Sequence, residues 1–115
     1  MISIINPAYN EEKRIAHTLE AYEKYFLSLK KQKLLNFELI IVINNTKDRT
    51  PEIVEAYSKK YKEIKFLNFK QGGKGFAIIE GFKEALKNDK NELIGFVDGD
   101  MATGPESFFD LIKNI

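Results

Sequence analysis

The sequence predicts an α/β protein, an open parallel sheet of about four strands flanked by helices on both faces, in the order βαβαβαβα. Three observations carry this reading. Short apolar runs alternate with stretches of helical periodicity along the chain. Each strand-helix-strand step must cross over right-handedly, which makes the strands parallel. Every unusual polar or glycine cluster falls just after an apolar run, and so on one edge of such a sheet.

Residues 2–5 form a β-branched run that Asn6-Pro7 is expected to stop. Asn10 then reads as an N-cap, with Glu11 and Glu12 placed to favour a helix dipole. Ile15, Leu19, Tyr22, Phe26 and Leu29 recur at steps of four and three, the stripe of an amphipathic helix. Residues 39–43 are continuously aliphatic, as expected of a strand buried on both faces. A polar loop at 44–50 leads to Pro51, suited to the first turn of a helix striped by Ile53, Val54, Tyr57 and Tyr61. Residues 64–69 read as a third strand with apolar residues at 64, 66 and 69. The glycine-rich stretch 71–75 precedes a helix over 76–86 whose stripe is Ile79, Phe82 and Leu86. Residues 93–97 are the fourth apolar run, and Pro105 opens a last helix carrying Phe108, Leu111 and Ile112. That stripe is still running at Ile115, which predicts that residues 1–115 are the N-terminal part of something longer.

A chain of 115 residues makes one domain with a real core. Charged residues are 30% of the total and nearly balanced at a formal net charge of +1, which argues against a general nucleic-acid binder. Lysines 30, 31 and 33 and lysines 59, 60 and 62 read as solvated helix ends, with peripheral contact to an anionic membrane surface as the competing reading. Cysteine is absent, which removes disulfides, a thiol nucleophile and thiolate metal sites, and fits a reducing compartment. No segment reaches the roughly 20 apolar residues needed to cross a bilayer. The opening residues lack the regions of a signal peptide, so a cytoplasmic location is expected.

Four loops share the expected edge: 6–10, 44–50, 70–75 and 98–104. In the first, Pro7-Ala8-Tyr9-Asn10-Glu11 offers a rigid turn, an aromatic face and a carboxylate, fit for a nucleobase or equally for a plain turn and helix cap. In the second, the amides of Asn44 and Asn45 can bond a base or ribose; otherwise it is a solvated loop capped by Asp48 or Thr50. In the third, Gly72-Gly73-Lys74-Gly75 lets backbone N–H groups approach an anion at a helix N-terminus, with Lys74 as a point charge. It is neither a Walker loop nor a GxGxxG fingerprint, and a flexible turn is the alternative. In the fourth, Asp98-Gly99-Asp100 places two hard oxygen ligands where a strand leaves the sheet, suited to Mg²⁺ or Mn²⁺ bridging to a diphosphate, against the reading of a turn. The calcium-loop pattern fails at Ala102 and Thr103. His17 reads as a surface or packing residue, and no Ser-His-Asp or Cys-His arrangement can be assembled.

Taken together, the four loops resemble the family-two glycosyltransferases of GT-A fold. Residues 4–11 are similar to that family's opening strand and P-x-Y-N-E motif, and residues 42–50 to its V-D-[DN]-[GN]-S-x-D-x-T. Gly73-Lys74-Gly75 with Gly81 resembles its G-K-G-x-A-x-x-x-G helix entry, and Asp98-Gly99-Asp100 its D-x-D metal motif. Ala102-Thr103 is most like the dolichyl-phosphate glucose and mannose synthase branch. The resemblance implies a Rossmann-like N-terminal half of a GT-A domain that binds a nucleotide sugar, usually of UDP or GDP. By position, Pro7, Ala8, Tyr9 and Glu11 would line the base pocket and Asn44 would contact the nucleoside. Lys74 and Gly75 would lie near the nucleotide, Asp98 and Gly99 near the ribose or sugar phosphate, and Asp100 on the metal, with both carboxylates serving catalysis. Ile43 and Asn44 stand where the family usually has Asp, so the base stays open; Ala102 stands where mannose-transferring relatives often have Gln.

The function expected is therefore metal-dependent transfer of a sugar from a nucleotide diphosphate to an acceptor, a glycan or a lipid phosphate such as a polyprenyl phosphate. A lipid acceptor would place the protein at the cytoplasmic face of a membrane. The alternatives are a non-catalytic nucleotide-sugar-binding domain and a nucleotidyltransferase, though the latter would want a signature loop after the first strand.

Overall fold

The computed structural model describes residues 1–88, 93–97 and 105. Strands β1 (Ile2–Ala8), β2 (Phe37–Asn44), β3 (Ile64–Phe69) and β4 (Leu93–Phe96) alternate with helices α1 (Ile15–Lys31), α2 (Thr50–Lys60) and α3 (Lys74–Leu86). The strands form one sheet in the order β3-β2-β1-β4, with every neighbouring pair parallel.

That order follows from the crossovers. The chain steps outward from β1 to β2 to β3, then returns past its starting point so that β4 pairs with the free side of β1. Right-handed connections in opposite directions put their helices on opposite faces. Accordingly, α1 and α2 bury Ile15, Leu19, Phe26 and Val54 against Ile4 and Ile41 on one face. On the other face α3 lays Ala77 and Ala85 over Ile5, Ile40 and Val42. β2 is buried along its whole length because it has a strand on each side and a helix layer on each face. The reversal between β1 and β4 is a topological switch point, the place where open α/β sheets leave a crevice at the carboxyl ends of their strands.

Three expectations need correction. Asn6-Pro7 does not stop β1, which runs on to Ala8. The carbonyl of Ile5 accepts the Val97 N–H (2.9 Å), so the backbone groups of odd-numbered residues here face β4. Among the described residues pairing with β4 ends at Ile5, so the N–H that Pro7 lacks falls beyond that ladder. Asn10 does not cap α1. Regular helix begins only at Ile15 after a turn closed by Arg14 and Ile15 N–H bonds to the Glu11 carbonyl, and its first turn holds no acid.

The third correction concerns α3. Ile79 and Leu86 are exposed, at 57% and 69%, and the buried face is Ala77, Gly81 and Ala85. Small residues at steps of four let the helix lie close on the sheet. Pro105 is helical, as expected, and buried, whereas Phe108, Leu111 and Ile112 lie outside the described residues. No helix among the described residues is long and apolar enough to cross a membrane.

Candidate functional site

The carboxyl edge of the sheet brings the first three loops into direct contact. Pro7 and Ala8 close β1 and are buried, and Tyr9 then emerges with 53% of its surface exposed. Asn10 follows with φ +49°, a left-handed conformation that asparagine tolerates better than most residues. Its side chain accepts the Lys47 N–H (2.9 Å), and its own N–H reaches Thr46 Oγ1 (3.3 Å). The Glu11 N–H donates to Thr50 Oγ1 (2.9 Å) and the Glu12 N–H to Asp48 Oδ2 (3.1 Å). Glu12 returns the bond by accepting the Arg49 N–H (3.3 Å). Five hydrogen bonds thus clasp the first loop to the second.

The second loop is in turn tied to the third. Asn44 is buried and its Nδ2 donates to the Gly73 carbonyl (3.0 Å), while the Asn45 N–H donates to Phe69 O (2.9 Å). Gly73 has φ +111°, a backbone conformation reserved for glycine, and it swings the chain into α3. No side chain caps α3, and its first helical hydrogen bond is that from Ala77 N–H to Gly73 O. The intervening N–H groups are therefore available at the positive end of the helix dipole, beside Gly75, over which a β-carbon would meet open space. Lys74 opens this helix.

Electrostatics at the rim are set locally. Burial pushes the Asp48 carboxyl up, but hydrogen bonds from the Thr50 hydroxyl, the Thr50 N–H and the Glu12 N–H outweigh it and hold the group below the usual carboxylate range. Glu11, a predicted base-pocket residue, accepts from Arg14 Nε at Oε2 (2.8 Å) and also pairs with its Nη2. The carboxylate is thereby oriented rather than free to swing.

The fourth loop begins at the same rim. Val97 is buried and bonded to Ile5 beside the switch point, and Asp98, Gly99 and Asp100 follow it but lie outside the described residues. Among the described residues no group of three His, Cys, Asp or Glu side chains could hold a metal. A cation on this rim would depend on Asp98 and Asp100, whose hard oxygen donors suit Mg²⁺ or Mn²⁺.

The lysine clusters lie at the other end, where α1 and α2 finish. Among the described residues Lys30 pairs with Glu63 (3.1 Å), Lys59 with Glu55 (3.4 Å) and Lys60 with Glu20 (3.4 Å). His17 is exposed, as expected.

Sequence reasoning missed the clasp. The competing reading of this loop gives Asp48 or Thr50 as a helix cap; Asp48 does accept the N–H of Thr50, the first residue of α2 (2.9 Å), but both residues also reach across to the first loop. The spacing Asp-x-Thr signals the local turn. Nothing in it signals partners 36 and 39 residues away.

Comparison with known proteins bears on this site. The family model described as Glycosyl transferase family 2 matches residues 3–115. A dolichyl-phosphate beta-glucosyltransferase, ALG5A of Trichomonas vaginalis, is 38% identical over 99% of this chain, which covers 35% of that protein. Among solved structures, S. aureus TarS superposes with a TM-score of 0.68 at 30% identity, over 97% of this chain and 19% of that one. The mannosyltransferase PcManGT of Pyrobaculum calidifontis, in complex with GDP-Man and Mn²⁺, shares the fold with a TM-score of 0.69 at 19% identity, over 97% of this chain and 31% of that one. The chain thus spans about a third of the length of the curated glucosyltransferase it matches.

Proposed function

The chain belongs to glycosyl transferase family 2, and from that premise we propose that its carboxyl rim binds a nucleotide-diphosphate sugar, of UDP or GDP, as the donor site of a metal-dependent glycosyltransferase. The acceptor in this reading is a polyprenyl phosphate, met at the cytoplasmic face of a membrane. The observation that carries the proposal is the clasping of three loops onto one rim at the switch point, with the fourth starting beside them. A glucosyltransferase acting on dolichyl phosphate is among the relatives, and the Pyrobaculum neighbour is a precedent for a nucleotide sugar and Mn²⁺ on this fold.

Each residue has a role that its chemistry suits. Pro7, Ala8 and the exposed ring of Tyr9 give the base an apolar wall, and Glu11, steadied by Arg14, offers an acceptor at its edge. Asn44 holds the third loop through Nδ2, and its remaining carboxamide oxygen would be the contact to the nucleoside. The uncapped start of α3, with Lys74 and Gly75, attracts the diphosphate. Asp98 and Asp100, with Gly99 between them, would hold the cation. Such a cation would neutralise the charge that develops on the departing nucleoside diphosphate. A phosphate acceptor is already ionised at neutral pH and needs no general base.

Calorimetric titration with UDP-glucose and GDP-mannose, each with and without Mn²⁺, tests the proposal. One of the two donors is expected to bind only with metal, and Asp100→Ala to weaken it by at least about tenfold, roughly the 1.4 kcal/mol of a lost metal contact. Failure of both donors to bind, or metal-independent binding that survives Asp98→Ala and Asp100→Ala, would refute it. Sugar release assayed in the full-length protein then separates an enzyme from a binding domain.

A further inference from the structure

We infer that Asp48 and Thr50 are positioning residues for donor binding: without touching the ligand, they hold residues 9–12 in the one arrangement that completes the base pocket. The inference rests on reading the rim as a nucleotide-sugar site.

The geometry is reciprocal. Thr50 donates its hydroxyl proton to Asp48 Oδ1 (2.6 Å), which leaves the hydroxyl oxygen to accept the Glu11 N–H (2.9 Å). Asp48 Oδ2 takes the next N–H along, that of Glu12 (3.1 Å). These two N–H groups precede the first residue of α1, so no helical carbonyl competes for them. Thr50 is itself fully buried at the start of α2, and Asp48 is kept ionised by the three donors around it. The pair therefore forms a fixed acceptor strip, anchored on α2, onto which the backbone between β1 and α1 is laid.

What the strip controls is Tyr9 and Glu11. Tyr9 projects from a segment with no strand or helix of its own, tied to the sheet through Ala8, to the start of α1 through the Glu11 carbonyl, and to the second loop through the clasp. If the strip is removed, residues 9–12 sample other positions and only the fraction with an assembled rim binds. Apparent affinity falls by that fraction. Asn10 adds bonds to Lys47 and Thr46 and Glu12 one to Arg49, but all three are exposed to solvent.

The test compares binding of UDP and of GDP, each with Mn²⁺, by wild type, Thr50→Val, Thr50→Ser, Asp48→Asn and Val54→Ala, at a temperature where all are folded by circular dichroism. Thr50→Val loses the acceptor for Glu11, and Asp48→Asn turns an amide N–H toward the Glu12 N–H. Both are expected to weaken nucleotide binding about tenfold. Amide hydrogen exchange at Glu11 and Glu12 should quicken in step, and Thr50→Ser, which keeps the hydroxyl, should restore both readouts. Val54 is fully buried in α2 one turn beyond Thr50 and makes none of the clasp's hydrogen bonds, so Val54→Ala lowers stability and should leave affinity intact. An equal loss of affinity in Val54→Ala, or wild-type affinity in Thr50→Val despite faster exchange, overturns the inference alone. Wild type that binds neither nucleotide overturns the reading of the site and the inference with it.

Discussion

The β-carbon that Gly81 lacks would lie 2.5 Å from Cγ2 of Ile5, and 3.2 Å from Cγ2 of Val42. Both side chains are fully buried on the α3 face of the sheet. Gly81 is thus a point of close approach between α3 and the two central strands, and the spacing of the layers there depends on its having no side chain.

Gly81→Ala should therefore destabilise the protein, although alanine is the better helix former. The helical gain is about 1 kcal/mol, and forcing a methyl into a filled core costs about 1–3 kcal/mol. A net loss of up to about 2 kcal/mol is expected, seen as a fall in Tm of about 4 °C per kcal/mol. Gly81→Val should be worse. A Tm for Gly81→Ala at or above wild type would show that α3 stands farther from the sheet than described.

Glu23 predicts an unusual pH dependence. It is fully buried on α1, and neither carboxyl oxygen has a hydrogen-bond donor among the described residues. Burial and then the neighbouring Glu63 push its pKa from 4.5 up to about 8, against the pull of Lys30, with Glu20 adding repulsion. The folded chain therefore retains a proton that the unfolded chain releases, and stability falls as pH rises from about 4.5 to about 8. Glu63 has the opposite sign: burial raises it, but Lys30 and Glu23 outweigh that and lower it, so its contribution is lost in acid. Glu23→Gln keeps a donor for Glu63 without the ionisation. Its urea midpoint should vary less than wild type between pH 5 and 8, and exceed it at pH 8 by more than about 1 kcal/mol in stability. Parallel pH curves for the two proteins would show that Glu23 is ionised in the fold.

Asn6 carries a cost of its own. It lies on β1 with 4% exposure, and among the described residues its Oδ1 has no partner; it stands beside a cavity of about 10 Å³ lined by Thr18, Leu19, Tyr22 and Val97. An unsatisfied buried acceptor costs about 1–3 kcal/mol. Asn6→Val removes it and suits a central strand, so Tm should rise by several degrees, about 4 °C per kcal/mol. A fall in Tm would mean that the carboxamide is bonded in solution.

Much of the fold was legible because each signal was local. The aliphatic run within β2 could only be a strand buried on both faces, and the stripe from Ile15 to Leu29 marked α1 and its face correctly. Where the reading failed, a tertiary fact had overruled a local one. Ile79 and Leu86 looked like a core stripe, but Gly81 between Ala77 and Ala85 draws the opposite side of α3 against Ile5. Asn6-Pro7 looked like a strand end, but among the described residues Pro7 sits past the last pair with β4 and breaks nothing. At the site, the turn residues named the rim, since glycines and Asx residues collect where strands end. The division of labour among them was not legible, because Thr50 and Asp48 act on backbone N–H groups that any residue at 11 and 12 would supply.

The sheet order also has a consequence for biosynthesis. β4 docks on β1, so during synthesis β1 waits for the last strand described, some 90 positions later in the chain, as Ile2 pairs with Leu93. Throughout that interval an apolar strand presents unsatisfied backbone groups to its surroundings, an invitation to pair with other nascent chains. Pausing of translation between α3 and β4 would prolong that exposure, and a chaperone that shields a growing polypeptide would matter most there.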